Sequence, residues 1–158
     1  MSFDKVKKYF ESVGMGDKVL ELAQSSATVE EAALAVGTEA KQIAKTLSFL
    51  QGEKAVLIVT AGDARIDNKK YKELFREKAK MIPWDLVESC VGHVPGGVCP
   101  FEIKPDVTVY LDVSMKRFDI VYPAAGSDHS AVKMTLDELE THSKSIGWID
   151  VCKDWQDN

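Results

Sequence analysis

The sequence of 158 residues has few cysteines, no excess of positive charge and no long apolar run. Its three cysteines, Cys90, Cys99 and Cys152, are an odd number without a Cys-x-x-Cys pair, which favours reduced thiols over a disulfide framework or a zinc site. No stretch approaches the ~18 continuous apolar residues of a membrane span, and the N-terminus lacks the apolar core of a signal peptide. We therefore expect a cytoplasmic protein with no membrane partner, no metal and no cofactor.

The charge balance also narrows the class of protein. There are 20 Lys and Arg against 25 Asp and Glu, so the net charge of -5 gives no global affinity for polyphosphate, and any contact with nucleic acid must come from a local patch. A length of 158 residues with 45% hydrophobic residues supports one core, and no repeat, linker or low-complexity tract divides the chain. We expect a single domain over residues 1–158.

Hydrophobic spacing and turn residues predict helices and short strands in mixed order. Helices are predicted over 3–13, 29–36, 38–44, 68–75 and 84–90, with a last one beginning after residue 135. Strands are predicted over 19–23, 46–50, 55–60, 79–82, 107–112, 118–122, 131–134 and 148–152. Thr28 with Glu31, and Thr135 with Glu138, have the form of capping boxes. Adjacent hairpins with helices between some of them indicate a mixed α/β or α+β sheet rather than a doubly wound parallel one.

The loop over residues 92–100 is the most informative segment. Gly96 and Gly97 could present main-chain amides to a carbonyl or an oxyanion, while Pro95 and Pro100 stiffen the flanks. The alternative is an ordinary tight turn, because glycine and proline are the usual turn residues. Spacing alone leaves both interpretations open.

Two basic features have similarly open interpretations. Lys45 lies between a predicted helix and an apolar strand, where it could hold a hydroxyl or a phosphate, or extend its ammonium group past the sheet edge into solvent. The segment 65–80 is locally basic and includes Arg65, Lys69 and Lys70. It could follow a phosphate backbone, or it could be a solvated helix face with internal ion pairs.

Other reactive side chains give weaker indications. The three histidines share no ligand spacing, so neither a zinc site nor a catalytic triad is predicted. Cys99 lies in the glycine loop and suggests a nucleophile, but spacing places no histidine or acid beside it, so a packed thiol is favoured. Asp63 and Asp67 flank a turn, where aspartate usually caps main-chain amides.

Five segments together resemble the YbaK/prolyl-tRNA-synthetase-associated editing-domain family. They are residues 26–33 (SATVEEAA), 43–49 (IAKTLSF), 61–67 (AGDARID), 92–101 (GHVPGGVCPF) and 124–127 (AAGS). The resemblance covers nearly the whole chain. It implies a mixed α/β fold with a curved, largely antiparallel sheet surrounded by helices. It also implies a freestanding aminoacyl-tRNA deacylase, which hydrolyses the ester that joins a wrong, small amino acid to tRNA.

The resemblance implies roles for particular residues. Lys45 matches the family's key lysine, associated with the terminal adenosine and its free ribose hydroxyl, and Gly96 and Gly97 match loop glycines that approach the ester carbonyl. A bound water completes hydrolysis, with no protein nucleophile. The implied substrate-binding residues are Thr28, Thr46, Asp63, His93, Pro95, Val98, Cys99, Gly126 and Ser127, and the implied tRNA-binding residues are Arg65, Lys69 and Lys70.

Three hypotheses about function remain, and the sequence departs from the family pattern at two places. The implied partner is the acceptor end of aminoacyl-tRNA, with an aminoacyl-tRNA synthetase as a second candidate partner. The competing hypotheses are a non-catalytic binding module of the same fold and a hydrolase that uses Cys99. Glu102 stands where many relatives carry glycine, and Asp128-His129 replaces small or amide residues. Both departures bear on which amino acid is removed.

Overall fold

Capping residues determine where the helices begin in the computed structural model, which describes residues 2–156. The helices are Ser2–Ser12 (α1), Val29–Val36 (α2), Asn68–Phe75 (α3), Val87–Val91 (α4) and Leu136–Ser143 (α5). Asp67 accepts hydrogen bonds from the amides of Lys69 and Lys70 at the start of α3. At α5 the capping box of Thr135 and Glu138 is complete, which confirms its prediction.

The capping box predicted at Thr28 is only half formed. The Thr28 hydroxyl accepts from the amide of Glu31 at 3.1 Å, as predicted. However, the Glu31 carboxylate accepts from the Thr28 hydroxyl at 3.2 Å rather than from the Thr28 amide. Gly37 ends α2 in the left-handed conformation, with φ of +86°.

Ten strands form one mixed six-stranded sheet and two small ribbons among the described residues. The strands are Val19–Glu21 (β1), Ile43–Gln51 (β2), Lys54–Ala61 (β3), Arg65–Ile66 (β4), Thr108–Asp112 (β5), Ile120–Pro123 (β6), Ser130–Val132 (β7), Met134–Thr135 (β8), Trp148–Ile149 (β9) and Cys152–Lys153 (β10). The main sheet has the order β8-β6-β2-β3-β5-β9, and β1-β7 and β4-β10 form the ribbons. The sheet is curved, and the predicted mixed α/β class is confirmed. Among the described residues, the main sheet pairs β2-β3 and β6-β8 antiparallel but β2-β6, β3-β5 and β5-β9 parallel, so it is not largely antiparallel as the resemblance implies.

The β2–β3 hairpin is the centre of this sheet and was predicted from its two apolar runs. Its eight antiparallel pairs run from Ala44 with Ala61 to Gln51 with Lys54. Strand β3 is buried from Ala55 to Ala61, because parallel β5 covers its other edge. The hairpin thereby holds β2 rigidly, with one long edge facing the rest of the molecule.

Some predicted elements are wrong, and tertiary pairing explains the errors. Residues 38–44 form only a 3-10 turn, Ala40–Gln42, because Ile43 and Ala44 already pair with β6. The strand predicted over 79–82 is reduced to a single bridge between Met81 and Phe49. The strand predicted over 148–152 divides into β9 and β10, because the Val151 amide donates to the buried carboxylate of Asp112 instead of to a strand.

Candidate active site

A cavity of about 360 Å³ lies beside the outer edge of β2, between the start of α2, the loop 95–98 and the strands β6 and β7. Its walls are mainly apolar, and include Val29, Ile43, Leu47, Ile82, Val98 and Tyr122. Its polar lining comes from hydroxyl groups and one cation, on Ser26, Thr28, Lys45, Thr46, Ser48 and Ser130. A concave apolar site with a few convergent polar groups is the usual form of a small-ligand site.

Lys45 lines this cavity and is held by the turn that follows β3. Its ammonium group donates to the carbonyl oxygen of Gly62 at 3.3 Å and to that of Ala64. Burial lowers the pKa of Lys45 below its ordinary value of 10.5, and the nearby charge of Arg65 lowers the pKa further. An ammonium has three donors, so one N–H remains for a ligand. The side chain does not extend into solvent.

The glycine loop contains a tight turn at Val94 to Gly97. The Gly97 amide donates to the Val94 carbonyl at 3.0 Å, and Gly96, at the third position of the turn, has φ of +90°. Proline at the second position and glycine at the third are typical of a type II turn. The Gly97 amide is therefore used within the turn, whereas the Gly96 amide donates to no protein group within residues 2–156. Pro95 and Gly96 both line the cavity.

Gly97 and Gly126 serve close main-chain packing. A Cβ on Gly97 would lie 2.6 Å from the amide nitrogen of Ser127, and one on Gly126 would lie 2.8 Å from the carbonyl oxygen of Ser2. These glycines let the loops 92–100 and 124–130 and the start of α1 approach each other. Neither glycine lines the cavity.

Cys99 and His93 both belong to the glycine loop, and their side chains are buried next to each other rather than lining the cavity. Both are fully buried, and the Cys99 sulfur is 3.5 Å from His93 Nε2. His93 Nε2 is also 2.6 Å from the carbonyl oxygen of Phe101. Burial raises the pKa of Cys99 to about 12 and lowers the pKa of His93, so both groups are held neutral. Sequence spacing missed this pair, but its environment is that of packed side chains and does not suit a thiolate nucleophile.

Asp63 and Ser127 already have protein partners. Both Asp63 oxygens accept from Arg117, at 2.6 Å from Nη2 and 3.0 Å from Nη1. The Ser127 hydroxyl donates to the Ser130 hydroxyl at 2.8 Å and accepts from the His129 amide at 3.2 Å. Neither residue lines the cavity, although Ser127 orders the turn that carries Ser130 into it.

The basic segment comes near the cavity-lining Lys45 through Arg65. Arg65 is exposed on β4 and is close enough to Lys45 to lower its pKa. Lys69 is exposed at the start of α3. Lys70 instead donates to Asp150 and to the carbonyl of Cys152, both at 3.0 Å. Among the described residues, no group of three or more His, Cys, Asp and Glu side chains could hold a metal ion.

The structure thus brings together six of the predicted site residues: Thr28, Lys45, Thr46, Pro95, Gly96 and Val98. It places Asp63, His93, Gly97, Cys99, Gly126 and Ser127 outside the cavity lining. Sequence reasoning missed the hydroxyls of Ser26, Ser48 and Ser130, and also Trp84, whose side chain is 76% exposed at the cavity rim. The sequence pattern indicates Pro83-Trp84 only as the start of the helix predicted over 84–90. No helix within residues 2–156 is long and apolar enough to cross a membrane.

This fold is shared with a crystal structure of a protein proposed to be a trans-editing enzyme for prolyl tRNA synthetase. That structure is 30% identical, with a TM-score of 0.85 over 96% of this chain and 97% of its own. The model of the aminoacyl-tRNA editing domain matches residues 23–141. The chain belongs to the aminoacyl-tRNA editing domain family.

Two curated relatives extend the comparison. The chain is 49% identical over 157 residues to the uncharacterized protein YwhH of Bacillus subtilis (strain 168). The aligned region covers 99% of this chain and 100% of the relative. It is 35% identical over 91 residues to proline–tRNA ligase of Limosilactobacillus fermentum, which covers 54% of this chain and 16% of the ligase. The chain therefore resembles YwhH over its whole length and the ligase over one segment only.

Proposed function

We propose that the chain, as one editing domain over residues 1–158, is a trans-acting deacylase that hydrolyses the ester of mischarged tRNA carrying a small amino acid. The observation that carries the proposal is the cavity beside β2, which Lys45 lines together with mainly apolar side chains and a few hydroxyl groups. The family supports tRNA as the partner, and we propose the cytoplasm as the place of action. A synthetase that delivers the substrate is a further proposed partner.

In the proposed reaction the protein positions the substrate and water supplies the nucleophile. The remaining Lys45 N–H holds the free hydroxyl of the terminal ribose, and the Gly96 amide lies at the rim to contact the acceptor end. Water attacks the ester carbonyl, the bond to the ribose oxygen breaks, and that oxygen takes a proton. The products are free amino acid and tRNA with its hydroxyl restored. An activated ester needs little more than this positioning and stabilisation of the oxyanion.

Two surface features support docking of the acceptor end. Arg65, whose charge acts on Lys45, and Lys69, four residues on, are both exposed and can neutralise phosphates. Trp84 is exposed at the rim, where its indole ring can stack on a base of the single-stranded acceptor end. Lys70 contributes less in this proposal, because Asp150 already pairs with it.

A second candidate function is a binding module without turnover. It is favoured by the two main-chain carbonyls that already occupy the Lys45 ammonium and by the Val94 carbonyl that occupies the Gly97 amide. The third hypothesis, a hydrolase that uses Cys99, is disfavoured by the burial of the sulfur and the raised pKa of the thiol.

The deciding experiment is deacylation of tRNAs charged with alanine, serine, threonine, cysteine and proline. The wild-type protein is compared with Lys45→Met and with Lys41→Met, a matched change at an exposed lysine outside the cavity. Loss of a charged contact made in the transition state lowers the rate by roughly 10²–10³-fold. We expect that loss for Lys45→Met and none for Lys41→Met. Saturable binding with no hydrolysis of any ester would replace the deacylase by the binding module.

A further inference from the structure

In the part of the chain that the structure describes, strand β2 has hydrogen-bonded neighbours on its outer edge only at its two ends. At the start, Ile43 and Ala44 pair with β6. Near the end, the Leu50 amide donates to the Lys80 carbonyl at 2.8 Å, and the Ser48 carbonyl accepts from the Ile82 amide at 3.0 Å. Between these pairings the edge is open over residues 45–47. At about 3.3 Å per residue, the opening from residue 44 to residue 48 spans about 13 Å.

The main chain of Thr46 faces this opening. Along an antiparallel ladder, successive residues direct their N–H and C=O groups to opposite sides. The outward bonds of Leu50 and Ser48 therefore fix the direction of Thr46, which points its N–H and C=O away from β3. Lys45 and Leu47 point theirs toward Thr60 and Ile58 of β3. Thr46 also lines the cavity, and its buried hydroxyl has no hydrogen-bond partner among the described residues.

Thr46 thus places at the mainly apolar cavity a main-chain donor and a main-chain acceptor that have no partner within residues 2–156. Main-chain groups inside a fold are almost always paired, so these two groups are available to a ligand at the cavity. The complementary ligand offers one acceptor and one donor at the spacing of a single strand residue. An α-amino ester has both groups, because its carbonyl oxygen accepts and its α-ammonium donates. Ligands added to a sheet edge are held by this same main-chain pairing.

We propose that Thr46 binds the aminoacyl group as a one-residue strand, with its N–H donating to the ester carbonyl and its C=O accepting from the α-ammonium. The inference rests on the proposed function, because it takes the aminoacyl end as the ligand. The contact selects for a free amino group, which a hydrophobic pocket cannot do. An ester with a free amino group is accepted, whereas an N-acylated ester, such as that of peptidyl-tRNA, is refused. The Thr46 amide also takes over the carbonyl contact for which the Gly97 amide is not free.

The test uses two non-hydrolysable analogues, 3′-alanylamino-3′-deoxyadenosine and its N-acetyl derivative, with binding measured by calorimetry. A charged hydrogen bond contributes enough that we expect the free amine to bind about tenfold or more tightly than the N-acetyl form. Equal affinity for the two analogues, or no binding of either, would overturn the inference.

Two variants locate the contact at the Thr46 main chain. Thr46→Pro removes the N–H but no ladder bond, because proline is tolerated where the N–H faces away from the neighbouring strand. Leu47→Pro, one residue on, removes a ladder bond to Ile58 and is expected to unfold the protein. We expect Thr46→Pro to fold and to lose affinity for the free-amine analogue, and Thr46→Val, which keeps the N–H, to retain the preference for the free amine.

The outcomes separate this inference from the proposed function. A folded Thr46→Pro variant that binds like the wild type would overturn the role of Thr46. If circular dichroism shows that Thr46→Pro is unfolded, the comparison of the two analogues on the wild-type protein decides alone. Selective binding of the free amine without hydrolysis of any charged tRNA would remove the deacylase and keep the Thr46 contact. Hydrolysis of alanyl-tRNA and N-acetyl-alanyl-tRNA at equal rates would keep the deacylase and remove the Thr46 contact.

Discussion

The Gly97→Ala substitution tests whether Gly97 serves packing, as its surroundings indicate, or substrate binding. A Cβ at this position would lie 2.6 Å from the amide nitrogen of Ser127 and 2.8 Å from its Cα. These are main-chain atoms, so no side-chain rotation relieves the contact. The loops 92–100 and 124–130 must separate by about 0.8 Å to bring 2.6 Å to the tolerable 3.4 Å. Overpacking of this kind typically costs about 1–3 kcal/mol.

We therefore expect Gly97→Ala to lower the free energy of unfolding by about 2 kcal/mol, measured by urea denaturation. Gly96→Ala is the matched control in the same turn, because its nearest contact would be 3.6 Å, from Asp128 Cβ. Its cost comes only from the positive φ and is about 1 kcal/mol. A Gly97→Ala protein that is as stable as the wild type but has lost hydrolysis or ligand binding would refute the packing argument. Gly97 would then be assigned to substrate binding.

Three further predictions concern groups outside the cavity lining. Arg117→Ala should lower the free energy of unfolding by about 1–2 kcal/mol in urea, because the two-point contact with partly exposed Asp63 is lost; a stability equal to the wild type contradicts this. Brief labelling of the native protein with iodoacetamide, followed by mass spectrometry, should modify half-buried Cys90 before buried Cys99, whose thiol has a pKa of about 12; labelling of Cys99 first would reverse the conclusion. Burial lowers the pKa of His93, so the unfolded chain binds a proton that the native protein does not, and stability should fall as the pH drops below about 6.5. His93→Gln should show a shallower fall in thermal melts across this range, and an unchanged slope argues against the assignment.

Local signals in the sequence were sufficient for the starts of α2, α3 and α5 and for the central hairpin. The side chains of Asp67 and Thr135 cap their helices because the capping geometry involves only the next three residues. The apolar runs of β2 and β3 are joined by a two-residue turn, so their pairing also depends on neighbours in the chain. These elements were predicted with nearly their observed bounds.

Elements that depend on distant partners could not be predicted in the same way. Residues 43–44 continue as strand because β6, almost 80 residues later, pairs with them, and Val151 leaves the predicted strand because Asp112 accepts from its amide. Neither partner is visible in a local pattern. Tertiary context overrides intrinsic propensity at such positions.

The predicted site residues also divide into those that lie on the cavity and those whose side chains are directed elsewhere by distant packing. The resemblance pointed to Lys45, Thr46 and Gly96, which lie on the cavity, because each belongs to a short motif with its own geometry. It also pointed to His93 and Cys99, which the fold of the loop turns toward the core. A side chain's direction out of an irregular loop depends on what packs behind it. The catalytic and binding roles of all these residues stay predictions.

In the proposed deacylase, the arrangement of β2 accounts for hydrolysis without a protein nucleophile. An ester is hydrolysed readily once its carbonyl is polarised and its position is fixed. Strand β2 offers a cation at Lys45 and an open main-chain donor and acceptor at Thr46, and these lie on consecutive residues of a strand that pairs with β3 from residue 44 to residue 51. A buried thiol in the same loop as Gly96 adds nothing to this chemistry. Selectivity then depends on two features, the volume left beside the open edge and the requirement for a free amino group, and only the first of these changes with the amino acid.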